Sequence, residues 1–87
     1  MSDPKRLQFT RHAQDVIVER SLNHSWIEKT VRSPEWSIPD PHRPGVEWRF
    51  HTISEFGGRT LRVVCIENAE EIRILTAFFD RDARKKL

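Results

Sequence analysis

Two stretches of helical periodicity, then a change to period two and a Gly-Gly step between apolar runs, predict an α+β domain. Its two N-terminal helices pack on one face of a three- to four-stranded antiparallel sheet. The 87 residues leave room for one core and no second, so residues 1–87 read as a single domain, with its core over about 7–80 and a charged tail over 80–87. Only 37% of the residues are hydrophobic, but three Trp and five Phe can build a core from few positions.

The first six residues show no periodicity, and Leu7 to Phe9 read as a short edge strand. Thr10 is placed to cap a first helix, in which Ala13, Val16, Ile17 and Arg20 recur at helical spacing. Asn23 caps the second helix, with Leu22 and Ile27 spaced as a hydrophobic staple, and Pro34 stops it at Ser33. Four of the five prolines fall between Pro34 and Gly45, which predicts a long, stiffened connection.

From Val46 the side chains alternate, and the strand is expected to run to Phe56, with Gly57-Gly58 as a two-residue hairpin. With Phe56 opposite Arg59, Phe50 meets Cys65 and Thr52 meets Val63 on the helix-covered face. His51 then meets Val64 and Ile53 meets Arg62 on the outer face. A turn around Asn68 to Glu71 leads to a third strand, Ile72 to Phe79, whose two faces are both apolar and leave its register open.

Fifteen Lys and Arg against thirteen Asp and Glu give a net charge of +2, too small by itself to mark a nucleic-acid binder. Eleven of the cations are Arg, whose planar fork suits phosphate and carboxylate. Cys65 is the only cysteine, so no intrachain disulfide forms, and no apolar run resembles a signal peptide or membrane span. The expected compartment is the cytoplasm. His12, His24, His42 and His51 lack metal-ligand spacing, so neither a metal nor a cofactor is expected.

The run Phe9-Thr10-Arg11-His12-Ala13, then Glu19-Arg20, Leu22-Asn23, Trp26-Ile27 and Ser33-Pro34-Glu35 carries a family resemblance, continued by Gly58 to Val64 and Thr76-Ala77-Phe78. Over about residues 7 to 80 the chain resembles a family of small bacterial domains of unknown function that looks related to the RelE/ParE and BrnT toxins. The resemblance implies helices on one face of an antiparallel sheet, and relatives that include ribonucleases, gyrase inhibitors and proteins without shown activity. The chain departs from it in carrying Ser21 where the family usually has Gly at the end of the first helix. It also has no Tyr, a residue that RelE-type ribonucleases often use near the C-terminus. No catalytic set is therefore carried over.

Metal-independent RNA cleavage needs a base, an acid and cationic donors to the phosphorane. On the expected outer face, His51 and Glu47 are the proton-transfer candidates and Arg49 and Arg62 the phosphate binders, with Arg73 joining in one of two registers. The alternative for the same residues is a solvated face of cross-strand charge pairs. His12 is either a third acid-base group or a hydrogen-bonding tie between helix and sheet. Arg20 either binds phosphate or pairs with Glu19, Asp15 or a backbone carbonyl. Cys65 is expected inward, as core, and Trp48 likewise, although Trp36 and Trp48 have the chemistry to stack on bases. The partners this reading implies are RNA or, if the domain is a non-catalytic interaction module, an antitoxin-like protein bound at a sheet edge or helix groove.

Overall fold

The computed structural model describes residues 4–83. Strand β1 (Arg6–Phe9) precedes helices α1 (Arg11–Glu19) and α2 (His24–Arg32), and the rest of the sheet follows as β2 (Trp36–Pro39), β3 (Val46–Ile53), β4 (Arg59–Glu67) and β5 (Glu71–Phe79). The sheet has five strands in the order β1-β5-β4-β3-β2, and it is mixed. β1 runs parallel to β5 while every other pair is antiparallel. Two features correct the expectation of a three- to four-stranded antiparallel sheet. The helical crossover returns the chain so that β1 and β5 run the same way, and the proline-rich segment contributes a strand of its own. β2 lies at the edge, where Pro39 sacrifices no internal ladder hydrogen bond.

Both helix starts follow from their caps. Thr10 Oγ1 accepts from Ala13 N at 3.1 Å, and Asn23 Oδ1 accepts from Ser25 N at 2.9 Å. Thr10 also ties α1 to the sheet, its N–H donating to Ile74 O and its hydroxyl to Leu75 O. α1 packs on β5 and β1, and α2 on β3 and β4. Ala13, Ile17, Leu22, Ile27 and Val31 from this layer meet Ile53, Leu61, Val63, Cys65, Ile72, Ile74 and Ala77 from the sheet in one core.

The hairpin between β3 and β4 differs from the expected one. β3 ends at Ile53, a 3-10 turn covers Ser54–Phe56, and Gly57 and Gly58 follow with φ of 66° and 70°, so five residues span the hairpin. Gly58 N donates to Ile53 O at 3.1 Å across it. Phe56 leaves the strand to stack on Phe79 at 4.8 Å and to meet Trp26 at 5.4 Å. Ring burial against α2 outweighs two more rungs of ladder at the sheet's open end.

The consequence is a register offset of three. Phe50 pairs with Arg62, His51 with Leu61, Glu47 with Cys65 and Ile53 with Arg59. An odd offset reverses the faces that the two-residue turn implied for β3 and leaves those of β4 as expected. Cys65 does face the helices, but its partner is Glu47, and Arg49 and His51 share that side. Phe50 and Trp48 lie on the face that carries no helix, with Arg62, Val64 and Phe78. An irregularity in the β4–β5 ladder at Val64 and Cys65 keeps Ile72, Ile74, Ala77 and Phe79 all on the helix side of β5.

Between the helices, Ser21 holds a left-handed backbone with φ of 53°. A Cβ in that region costs about 1 kcal/mol, which glycine avoids. Ser21→Gly should therefore raise the unfolding free energy by about 0.5–1 kcal/mol net of the looser unfolded chain, measured by urea denaturation.

Candidate functional site

The basic outer face expected from the sequence does not assemble, because its members divide between the two faces of the sheet. Arg49 is on the helix side, with only 11% of its side chain exposed, and each of its three nitrogens donates a hydrogen bond. It donates to Glu47 Oε1 at 2.7 Å, to Glu67 Oε1 at 2.6 Å and to Val31 O at 3.0 Å, so it joins the last turn of α2 to β3 and β4. Burial opposes its charge, but the hydrogen bonds to Glu67 and Glu47 more than offset that and raise its pKa above the usual value. Lys5 at 2.6 Å, then Arg49, hold the Glu67 carboxyl below the usual carboxylate range. This charge pair network stitches the domain together and matches the Arg49 charge with two carboxylates, which disfavours an added phosphate there.

His51 shares that side of β3. Its Nδ1 is 2.8 Å from Thr52 O and 3.4 Å from Glu35 Oε1, while Glu35 also accepts from Thr52 N, so the imidazole braces the start of β2. Glu47 is paired with Arg49 instead of with His51. His12 is exposed near the start of α1, and the tie between helix and sheet is made by Thr10. The three proposed proton-transfer groups do not converge.

Arg62 lies on the opposite face from Arg49 and His51, sandwiched among rings. Its guanidinium carbon is 4.1 Å from the centroid of Trp48, 4.8 Å from Phe78 and 5.5 Å from Phe50, and it forms an ion pair with Asp80. Its Nε is buried without a hydrogen-bond partner, the ring faces standing in place of an acceptor. Arg73 shares this face but pairs with Glu71 at 3.2 Å. Trp36 stacks flat on Phe50 at 4.8 Å, and Trp48 Nε1 donates to Asp40 Oδ2 at 2.8 Å. Asp40 also accepts from the backbone of His42 and then from Arg43, which hold its carboxyl far below the usual carboxylate range and close the loop ahead of β3.

Arg20 is the one proposed phosphate binder that borders a groove with an open cationic rim. Its Nη1 donates to Ala77 O at 2.8 Å, the backbone-carbonyl alternative of the sequence reading. The groove measures about 550 Å³ and is lined by Trp26, Phe56, Phe79 and a second arginine, Arg59, with no carboxylate among its lining residues. Arg59 lies 5.1 Å from the Phe56 centroid. Across Arg59 and Phe79, which line both, the groove adjoins a second cavity of about 470 Å³ that includes Arg81 and Asp80. Among the described residues, Arg20, Arg59 and Arg81 form no ion pair, unlike Arg49, Arg62 and Arg73. Sequence reasoning passed over Arg59 and Arg81. The available signal was Phe56-Gly57-Gly58-Arg59, an aromatic and a cation flanking glycines at a hairpin tip. The last residues of the expected tail, 84–87, lie outside the described residues.

Among those described residues, no group of three or more His, Cys, Asp or Glu is arranged to hold a metal ion, and no helix is long and apolar enough to cross a membrane. The fold and groove define a small α+β domain with an arginine- and aromatic-lined end. A family model matches residues 9–79, from the end of β1 to the end of β5, and the chain belongs to that family, the domain of unknown function DUF4258. No curated protein and no solved structure matches the chain.

Two predictions follow from the helix-side network. Desolvation pushes the Cys65 thiol up to about 11 and the residue is fully buried, so a thiol reagent at pH 8 should label it only after denaturation. Arg49→Ala should cost about 2 kcal/mol in urea unfolding at pH 7, since it leaves Glu47 and a helix-end carbonyl without their donor and Glu67 with Lys5 alone. The Glu67 carboxyl has a lowered pKa when folded. Its contribution is therefore complete above about pH 4.3 and is lost as pH falls through the folded value. The gap between parent and variant should narrow over the same acid range.

Proposed function

We propose that this domain is an RNA-binding relative of the RelE/BrnT-like toxins, and that it holds single-stranded RNA at the groove of Arg20, Arg59 and Arg81 without cleaving it. One observation carries the reading: three arginines without carboxylate partners surround stacked rings, of which Phe56 is 41% exposed. Guanidinium groups neutralise phosphates, while an accessible ring accepts an unpaired base. Base-paired RNA hides its ring faces, so the chemistry favours single strands.

Binding without cleavage is favoured because His12, Glu47 and His51 do not line this groove, and the one carboxylate of the adjoining cavity, Asp80, is already paired with Arg62. Two helices ahead of an antiparallel β2 to β5 meander are compatible with RelE-like ancestry, and the parallel β1 is an addition to that pattern.

The test is fluorescence anisotropy with a labelled ten-nucleotide single strand at several salt concentrations. Arg59→Ala and Arg81→Ala should each weaken binding several-fold and reduce the salt slope by about 0.7. Phe56→Ala should weaken it by about tenfold with little change in slope, as expected for a lost stacking contact. The strand should remain intact after incubation with the parent protein. The reading fails if the parent does not bind, or if Arg59→Ala and Phe56→Ala both bind like the parent.

A further inference from the structure

The helix-free face of the sheet contains a second cavity, of about 380 Å³, that the RNA reading does not use. Trp36, Ile38, Trp48 and Phe50 form its apolar part, and Arg62, Asp80 and Asp82 supply its charges. Arg62 and Asp80 neutralise each other. The Asp82 carboxylate has no partner among the described residues, only its backbone N–H being held by Asp80 Oδ1 at 2.9 Å. The lining is therefore apolar with one unbalanced negative charge. Ile38 stays 38% exposed there, although the sheet residues beneath, Phe50 and Val64, are each only 3% exposed.

The position of the cavity narrows the kind of occupant. It lies beside β2, one of the two edge strands of the sheet, and Trp36, Ser37 and Ile38 of that strand form its wall. A free edge presents backbone N–H and C=O groups to an added strand, and pockets beside it then read alternate side chains. A compact small molecule would fill the cavity and leave the edge unused, whereas an extended peptide uses both. The unbalanced carboxylate selects the sign of its charge.

We propose that the β2 edge and its cavity form a docking site for an extended protein segment in which apolar residues alternate with Arg or Lys. The apolar side chains lie on Trp36 and Ile38, and a basic side chain meets Asp82. This site shares no lining residue with the groove of Arg20 and Arg59, although it shares Asp80 and Ala83 with the cavity of Arg81, so Arg59→Ala is the variant that separates the two readings.

The probe is a synthetic nine-residue peptide alternating Leu and Arg, with a counterpart in which Glu replaces each Arg. Both are titrated into the full chain and followed by tryptophan fluorescence, with isothermal calorimetry for the dissociation constant. The basic peptide should bind, and the acidic one should bind at least tenfold more weakly. Ile38→Asp should weaken the basic peptide by about tenfold or more, and Asp82→Asn by about three- to tenfold. Both positions are exposed, and circular dichroism of the variants should match the parent. Arg59→Ala, which tests the RNA groove, should leave peptide binding at the parent level. Equal binding of the two peptides, no binding of either at 1 mM, or parent-like binding by both variants would overturn the proposal.

Discussion

Five residues, instead of two, connect β3 to β4, and the Gly58 N–H to Ile53 carbonyl hydrogen bond holds that loop closed. The left-handed Gly57 and Gly58 make the turn possible, and the stacking of Phe56 on Phe79 and Trp26 makes it favourable. Everything on the two faces follows from this closure. Because side chains alternate with period two, the odd offset sends Arg49, His51 and Ile53 toward the helices and Trp48, Phe50 and Arg62 away from them. A one-residue slip in register would turn β3 over relative to β4, placing Phe50 against α2 and Arg49 in the open.

Each face then solves its own problem with an arginine. On the helix side Arg49 enters a partly desolvated region, where a lone charge is costly, and it is matched by two carboxylates and a helix-end carbonyl. On the other side no helix arrives, so the sheet covers itself. Trp36 lies on Phe50, Trp48 is held by Asp40, and Arg62 lies across three rings with Asp80 balancing its charge. The long arginine stem and planar head serve there as hydrophobic cover. An arginine in such a place reads as basic in sequence and acts as packing in structure.

That distinction explains what was legible. Helix caps are local, so Thr10 and Asn23 were readable, as were the stop at Pro34 and the turn at Asn68, whose side chain accepts from Glu70 and Glu71. The inward position of Cys65 was also read correctly, though its neighbour was not. The β2 strand was hidden because Pro39 and the prolines flanking the strand read as connection, and what makes it a strand is its ladder to β3. The parallel β1 to β5 pairing likewise depends on residues more than sixty positions apart. The candidate site was misread through a single local choice, since Gly57-Gly58 satisfies a two-residue hairpin as well as the end of a longer loop. Only the partners of Phe56, far away in α2 and β5, decide between them.

A charged residue's worth for binding is set by what already holds it, and this sorts the eleven arginines more sharply than their positions on a sheet diagram. Arg49, Arg62 and Arg73 are each occupied by a carboxylate at close range, and recruiting any of them to phosphate would leave a carboxylate behind. Arg59 and Arg81 carry no such debt, and Arg20 spends one donor on a carbonyl while keeping the rest of its fork. All three gather at the end of the sheet where β5 finishes and the β3–β4 loop folds over: Arg59 opens β4 opposite Ile53, Arg81 follows β5, and Arg20 ends α1. The same five-residue loop that dismantles the expected basic face thus brings Phe56 and Arg59 to the rim of another one.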